Sequence, residues 1–136
     1  MHLRHYYRGR QYVHLIHIII TLQNDFHDCY RPNRIGTDIQ RGQISWLYCV
    51  AYQKSNEEQK NILRNYYGKG DSESVNIVKK IYDDLDVKGE WFNHLNKSLV
   101  EIQDLVDQLP ERSAKPAFNY CIQLLRSNYE HDKKKR

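Results

Sequence analysis

Apolar residues recur three and four apart along most of the chain, the spacing that gathers them on one side of an α-helix. The clearest run is Phe92, Leu95, Leu99, Ile102, Val106 and Leu109, which predicts one long helix ending before Pro110. It reads as core packing or the wall of a bundle, because about two to three heptads are too few for a coiled-coil seam. Ahead of it, Val75, Val78, Ile81, Tyr82 and Leu85 form a second stripe, with Asp71 placed to cap its helix. Ser55 and Glu58 give the S-x-x-E pattern of a capping box, opening a helix through Ile62, Leu63 and Tyr66. Gly68 and Gly70 follow as its stop, since glycine adopts the left-handed conformation without steric cost. Ile44, Leu47 and Ala51 repeat at helical spacing between Gln43 and Gln53, and Trp46 and Val50 widen that face. Ser113 and Pro116 begin a last helix through Phe118, Cys121, Ile122 and Leu125, and His131 to Arg136 reads as a polar, basic tail. Only Tyr12 to Leu22 leaves the element open, because a short continuous apolar run suits a buried helix or a strand. The expected class is all-α.

Composition narrows this little further. At 136 residues, 40% hydrophobic and 28% charged, the chain has room for one small globular domain. The net charge of +4 is matched by Lys133 to Arg136 alone, so the body is near neutral and a general nucleic-acid footprint is not expected. Cys29, Cys49 and Cys121 form no CxxC pair, which argues against a disulfide framework or a zinc site and for a reducing compartment. Arg4, Arg8 and Arg10 before the apolar run imitate a signal peptide. The run is shorter than the roughly 20 residues a membrane span needs, and Leu22-Gln23-Asn24-Asp25 is no cleavage site. No transmembrane segment is expected.

The polar chemistry concentrates between Gln23 and Leu47. If the first part is helical, Asn24 and Asp28 share a face and Asp25 flanks them. Oxygen-bearing groups crowded into one turn repel unless a cation sits among them, and hard oxygen ligands suit Mg²⁺. Asp38 follows a short loop, with Arg34 nearby as a candidate phosphate-binding cation. On these residues alone the cluster is a weak signal, and a solvated helix start with a capping Asn or Asp is the favoured reading. Asp83, Asp84 and Asp86 read as solvated surface, and His14 and His17 lack a third metal ligand in sequence reach.

The string Q-N-D-F-H-D, then R-I-G-T-D-I-Q, then Q-I-S-W-L resembles the second aspartate-rich region of trans-isoprenyl diphosphate synthases, which runs Q-D-D-x-x-D, K-I-G-T-D-I-Q, K-x-S-W-L. Glu57 to Gly68 resembles that family's E-x-Q-x-x-I-L-x-x-x-Y-G, and Val78 to Val87 its V-K-x-L-Y-x-E-L-D-L. The likeness covers Gln23 to Arg136 and is closest to the farnesyl diphosphate synthases of eukaryotes. It divides the chain into a poorly matching segment, 1–22, and the C-terminal part of a polyprenyl synthase domain, 23–136.

The resemblance implies a partial isoprenoid-synthase-type bundle, formed by the C-terminal helices only. It implies a Mg²⁺-dependent prenyltransferase joining an allylic diphosphate to isopentenyl diphosphate, with dimethylallyl and geranyl diphosphates as the allylic partners. Carried over, Asn24, Asp25, Asp28 and Asp38 would hold Mg²⁺ or its waters. Thr21, Arg34, Gln43, Lys133, Lys134, Lys135 and Arg136 would lie on the diphosphate side. Departures are expected to weaken this chemistry. Asn24 replaces a carboxylate. Gln43 replaces a lysine, costing about 1–2 kcal/mol at that contact. Ile20-Thr21 stands where the family has Phe-Gln. The family's first aspartate-rich region has no counterpart here, so a truncated cytoplasmic chain, inactive alone, is expected. The family is homodimeric, and its dimer surface would be largely absent. A non-catalytic diphosphate-binding or synthase-partner protein, or a diverged terpene synthase, are the alternatives.

Overall fold

The computed structural model describes residues 2–135, with side chains from Arg10 onward. Among these residues there are seven helices and no strand: α1 (His2–Tyr30), α2 (Thr37–Arg41), α3 (Trp46–Lys54), α4 (Glu57–Tyr66), α5 (Ser72–Asp84), α6 (Val87–Asp107) and α7 (Lys115–Lys134). The run at Tyr12 to Leu22 is helical, continuous with the residues on either side. No described helix is long and apolar enough to cross a membrane.

The chain forms two compact units, Leu22–Trp91, and Met1–Thr21 with Phe92–Arg136, so α1 and α6 each contribute to both. In the Leu22–Trp91 unit, α5 packs against α2, α3 and α4. Its inward stripe is Val75, Val78, Ile81 and Tyr82, four of the five residues the periodicity selects; Leu85 is its half-buried C-cap. Trp91, fully buried, stacks on Phe26 with ring centroids 4.0 Å apart and donates Nε1–H to the Leu22 carbonyl at 2.9 Å. In the other unit, Phe92, Leu95, Leu99, Ile102 and Val106 form the buried seam of α6. Tyr12 meets Phe118 there at 5.5 Å, and Phe92 meets the Tyr129 ring edge-on at 5.7 Å.

Helix ends correct the sequence expectations in small shifts. Asp71 caps α5 as expected, its Oδ1 accepting from the Ser74 amide at 2.8 Å. The capping box of α4 is Asn56 with Gln59, one residue after the expected Ser55 and Glu58. Ser55 is buried as the C-cap of α3, its amide at 3.0 Å and its hydroxyl at 2.7 Å both donating to the Ala51 carbonyl, so its side chain is turned toward α3 and Asn56 takes the cap of α4. α3 starts at Trp46 behind the N-cap Ser45, leaving Ile44 outside the helix and 79% exposed. Gly68 takes the left-handed conformation after α4 (φ 85°), whereas Gly70 does not. The basic tail is the last turn of α7 through Lys134, where lysines offset the negative end of the helix dipole. Asp86 is more than solvated surface: at φ 49° its Oδ1 accepts from the Gly89 amide at 3.1 Å and starts α6.

Candidate functional site

The last turns of α1 present Asn24, Asp25 and Asp28 within one helical turn, with Asn24 exposed and the two acids half-buried. Each acid reaches across to the start of another helix. Asp25 Oδ2 accepts from the Trp46 amide at 3.0 Å, the first residue of α3. Asp28 Oδ2 accepts from the Asp38 amide at 3.0 Å, the second residue of α2. A helix N-terminus has four amides without an intrahelical partner. Gly36, which precedes α2, has no side chain to supply one, and Asp28 fills that role from ten residues upstream. The reading of a solvated helix start with a capping acid is therefore corrected: the acids lie half-buried at the end of α1 and cap the starts of α2 and α3.

This bonding draws Asp25, Asp28 and Asp38 into one electrostatic cluster. Desolvation raises the Asp25 carboxyl above its ordinary value of 3.8, the Trp46 amide lowers it, and the Asp28 charge raises it again. Asp38 is also raised, first by desolvation, then by the Asp28 and Asp25 charges, against a lowering by Arg41. The Asp28 charge thus raises the cost of ionising both Asp25 and Asp38, the condition a bound cation relieves.

Around Asp38 the backbone is pinned at both ends of α2. Gln43 donates its amide to the Asp38 carbonyl at 2.9 Å and accepts the Tyr67 hydroxyl at its own carbonyl. Gly68 donates its amide to the Ile39 carbonyl at 2.8 Å. Gly42 and Gly68, both at positive φ, meet back to back: a Cβ at Gly42 would lie 3.2 Å from the Gly68 Cα. Neither the Tyr67 bond nor the glycine contact has a local signal, although a glycine pair twenty-six residues apart flanking two helix ends was visible in the sequence.

The remaining expected residues are dispersed. The Arg34 side chain is exposed in the turn after α1, where its amide donates to the Arg31 carbonyl at 3.0 Å. Gln43 is exposed just beyond Asp38's helix. Thr21 belongs to the other unit and spends its hydroxyl on the His17 carbonyl at 2.9 Å within α1. Lys133, Lys134 and Lys135 are exposed at the end of α7, also in that unit, with Lys133 Nζ 5.6 Å from the Tyr129 ring centre. Arg136 lies outside the described residues.

The oxygen-only donor set fits Mg²⁺. Asp25 and Asp28 each commit Oδ2 to an amide, and those bonds leave the second oxygen of each unused. Among the described residues no three His, Cys, Asp or Glu side chains could hold a single ion between them. Mg²⁺ commonly binds through one or two carboxylates together with waters and substrate phosphates, a mode this geometry supports.

Residues 4–85 match the sequence model of the family described as polyprenyl synthetase. Farnesyl pyrophosphate synthase 1 of Cannabis sativa is 38% identical over 100 residues, covering 71% of this chain and 29% of that protein. Farnesyl pyrophosphate synthase of Schizosaccharomyces pombe is 37% identical over 94 residues, 66% of this chain and 27% of that one. The solved farnesyl pyrophosphate synthase of T. brucei superposes with a TM-score of 0.76 at 26% identity, covering 90% of this chain and 38% of that chain. The all-α fold is therefore part of the fold of these synthases. The chain spans less than a third of the length of the curated relatives it matches.

Proposed function

The chain belongs to the polyprenyl synthetase family, and from that premise we propose that it forms the C-terminal, diphosphate-facing part of a farnesyl-diphosphate-synthase-type prenyltransferase. Its ligands are isoprenyl diphosphates (dimethylallyl, geranyl and isopentenyl), its metal is Mg²⁺ and its location is the cytoplasm. The observation that carries the reading is the cluster of Asp25, Asp28 and Asp38, in which the Asp28 charge raises the other two carboxyls and the remaining oxygens favour a divalent cation.

Each residue has a part in this reading. Asp25 and Asp28 hold the cation while fixing the starts of α3 and α2, so the metal side of the site is set by the fold. Asp38, on α2, would add its carboxylate beside the cation as an acceptor for the water that accompanies it. Asn24 offers a neutral amide oxygen where the family has a carboxylate, which reduces the negative charge facing the cation. Arg34 contacts the diphosphate oxygens as a cation, and Gln43 can do so only as a neutral donor. Bound Mg²⁺ supplies charge neutralisation on the departing pyrophosphate.

Calorimetric titration of the chain with geranyl diphosphate, with and without MgCl₂, tests the proposal. Saturable binding that requires Mg²⁺ and is lost in the Asp25→Asn/Asp28→Asn double variant supports it. Binding indifferent to Mg²⁺, or to that double variant, overturns it.

A further inference from the structure

Lys79 flanks the inward stripe of α5, four residues after Val75 and three before Tyr82; its side chain is only partly exposed and its ammonium donates to the Cys29 carbonyl at 2.9 Å. Cys29 lies in the last turn of α1, where four carbonyls lack intrahelical partners. The same side chain also borders the chain just before α2. A Cβ added at Gly36 would lie 3.2 Å from Lys79 Cε and 3.4 Å from Val75 Cγ1, so the backbone at Gly36 rests against the lysine stem. Gly36 has φ 82°, a conformation that also favours glycine. One side chain thus touches both ends of the six-residue connection between Cys29, fifty residues away in sequence, and Gly36.

Those two ends carry the acidic cluster. Asp28 precedes Cys29, and Asp38 follows Gly36 by two residues, with the Asp28–Asp38 amide bond closing the same loop. We propose that Lys79 is a positioning residue: by pinning the Cys29 carbonyl and backing Gly36, it fixes the separation of Asp28 and Asp38 on which cation binding depends. Its effect runs through the backbone. The charges that perturb Asp25 and Asp38 are those of Asp28, Asp25 and Arg41, and the lysine is not among them. The inference deepens the metal-binding reading above and rests on it for function, though the loop geometry stands alone.

The test uses Lys79→Met, which keeps an apolar stem against Gly36 and removes the ammonium, and Lys79→Arg, which restores a donor. In the metal-free chain, hydrogen exchange at the Asp38 amide is compared with that at the Trp46 amide, which is held by Asp25. Lys79→Met is expected to speed Asp38 exchange about tenfold through local opening while leaving Trp46 unchanged, and Lys79→Arg to restore the original rate. Calorimetry with MgCl₂ at fixed inorganic pyrophosphate is expected to show a Mg²⁺ half-saturation about tenfold higher for Lys79→Met, the scale of an outer-shell loss. Unchanged Asp38 exchange, Asp38 and Trp46 speeding up together, or equal Mg²⁺ half-saturation in the two chains overturns the inference. Absence of any Mg²⁺ response in the unaltered chain sinks the metal-binding reading instead, and the exchange comparison then still decides the role of Lys79.

Discussion

Replacing Asp28 separates its two jobs, holding an amide and carrying a charge. Asp28→Ala removes the acceptor at 3.0 Å from the Asp38 amide and leaves the start of α2 without a side-chain cap. Loss of an N-terminal cap costs about 1 kcal/mol, within a range of about 0.5–2. The same change removes repulsion with Asp25 and Asp38, both of which Asp28 raises. Partly exposed charge pairs are worth about 0.2–1 kcal/mol each, so the two relieved pairs offset much of the cap loss, and the net cost of Asp28→Ala is at most about 0.6 kcal/mol. Asp28→Asn keeps an acceptor oxygen in the same place and sheds the charge, so it is neutral or slightly stabilising at pH 7 without metal. For a chain of this size 1 kcal/mol corresponds to about 3–5 °C. Thermal unfolding followed by circular dichroism should place the Asn variant at or above the unaltered chain and the Ala variant a few degrees below the Asn variant, since only the cap separates the two. The pH dependence carries the matching sign. Carboxyls raised in the folded state weaken it wherever they are ionised, and the penalty is relieved as pH falls through their raised values toward the ordinary 3.8. The advantage of Asp28→Asn should therefore shrink between pH 7 and the acid side of that window, and saturating Mg²⁺ should reverse it by stabilising only the unaltered chain. An Asn variant as unstable as the Ala variant at pH 7 would refute both the capping and the repulsion arguments.

Gly42→Ala should destabilise by about 2 kcal/mol, since a left-handed position costs an L-residue about 1–2 kcal/mol and the added Cβ would meet backbone that cannot rotate away; chemical denaturation showing a loss below about 0.5 kcal/mol would contradict the back-to-back contact with Gly68. Among the three cysteines, Cys49 is exposed while Cys29 is buried, with its thiol pushed up to about 12 by desolvation. At pH 8 a thiol-reactive chromophore should modify Cys49 in the native chain and reach Cys29 only on unfolding, and equal rates at the two sites would refute the burial of α1's last turn.

Helix positions were legible in the sequence because a helix writes its contacts locally, three and four residues apart, so Val75 to Tyr82 and Phe92 to Val106 declared their buried faces directly. The acids on α1 were legible for the same reason: Asn24, Asp25 and Asp28 fall within one turn of any helix drawn through them. The helix ends were less secure, because Ser55 and Asn56 both suit a cap and only the fold shows that Ser55 is already bonded to Ala51. What the tertiary structure alone decided is how separate elements use one another. Asp25 holds the start of α3, Asp28 the start of α2, Tyr67 the carbonyl of Gln43, and Lys79 both sides of the loop between Asp28 and Asp38. These bonds join residues 10 to 50 positions apart whose spacing follows no period, since it is set by loop lengths and by how the helices pack. A residue sequence records which groups can bond, but bond direction and distance exist only once the backbone has brought the groups together.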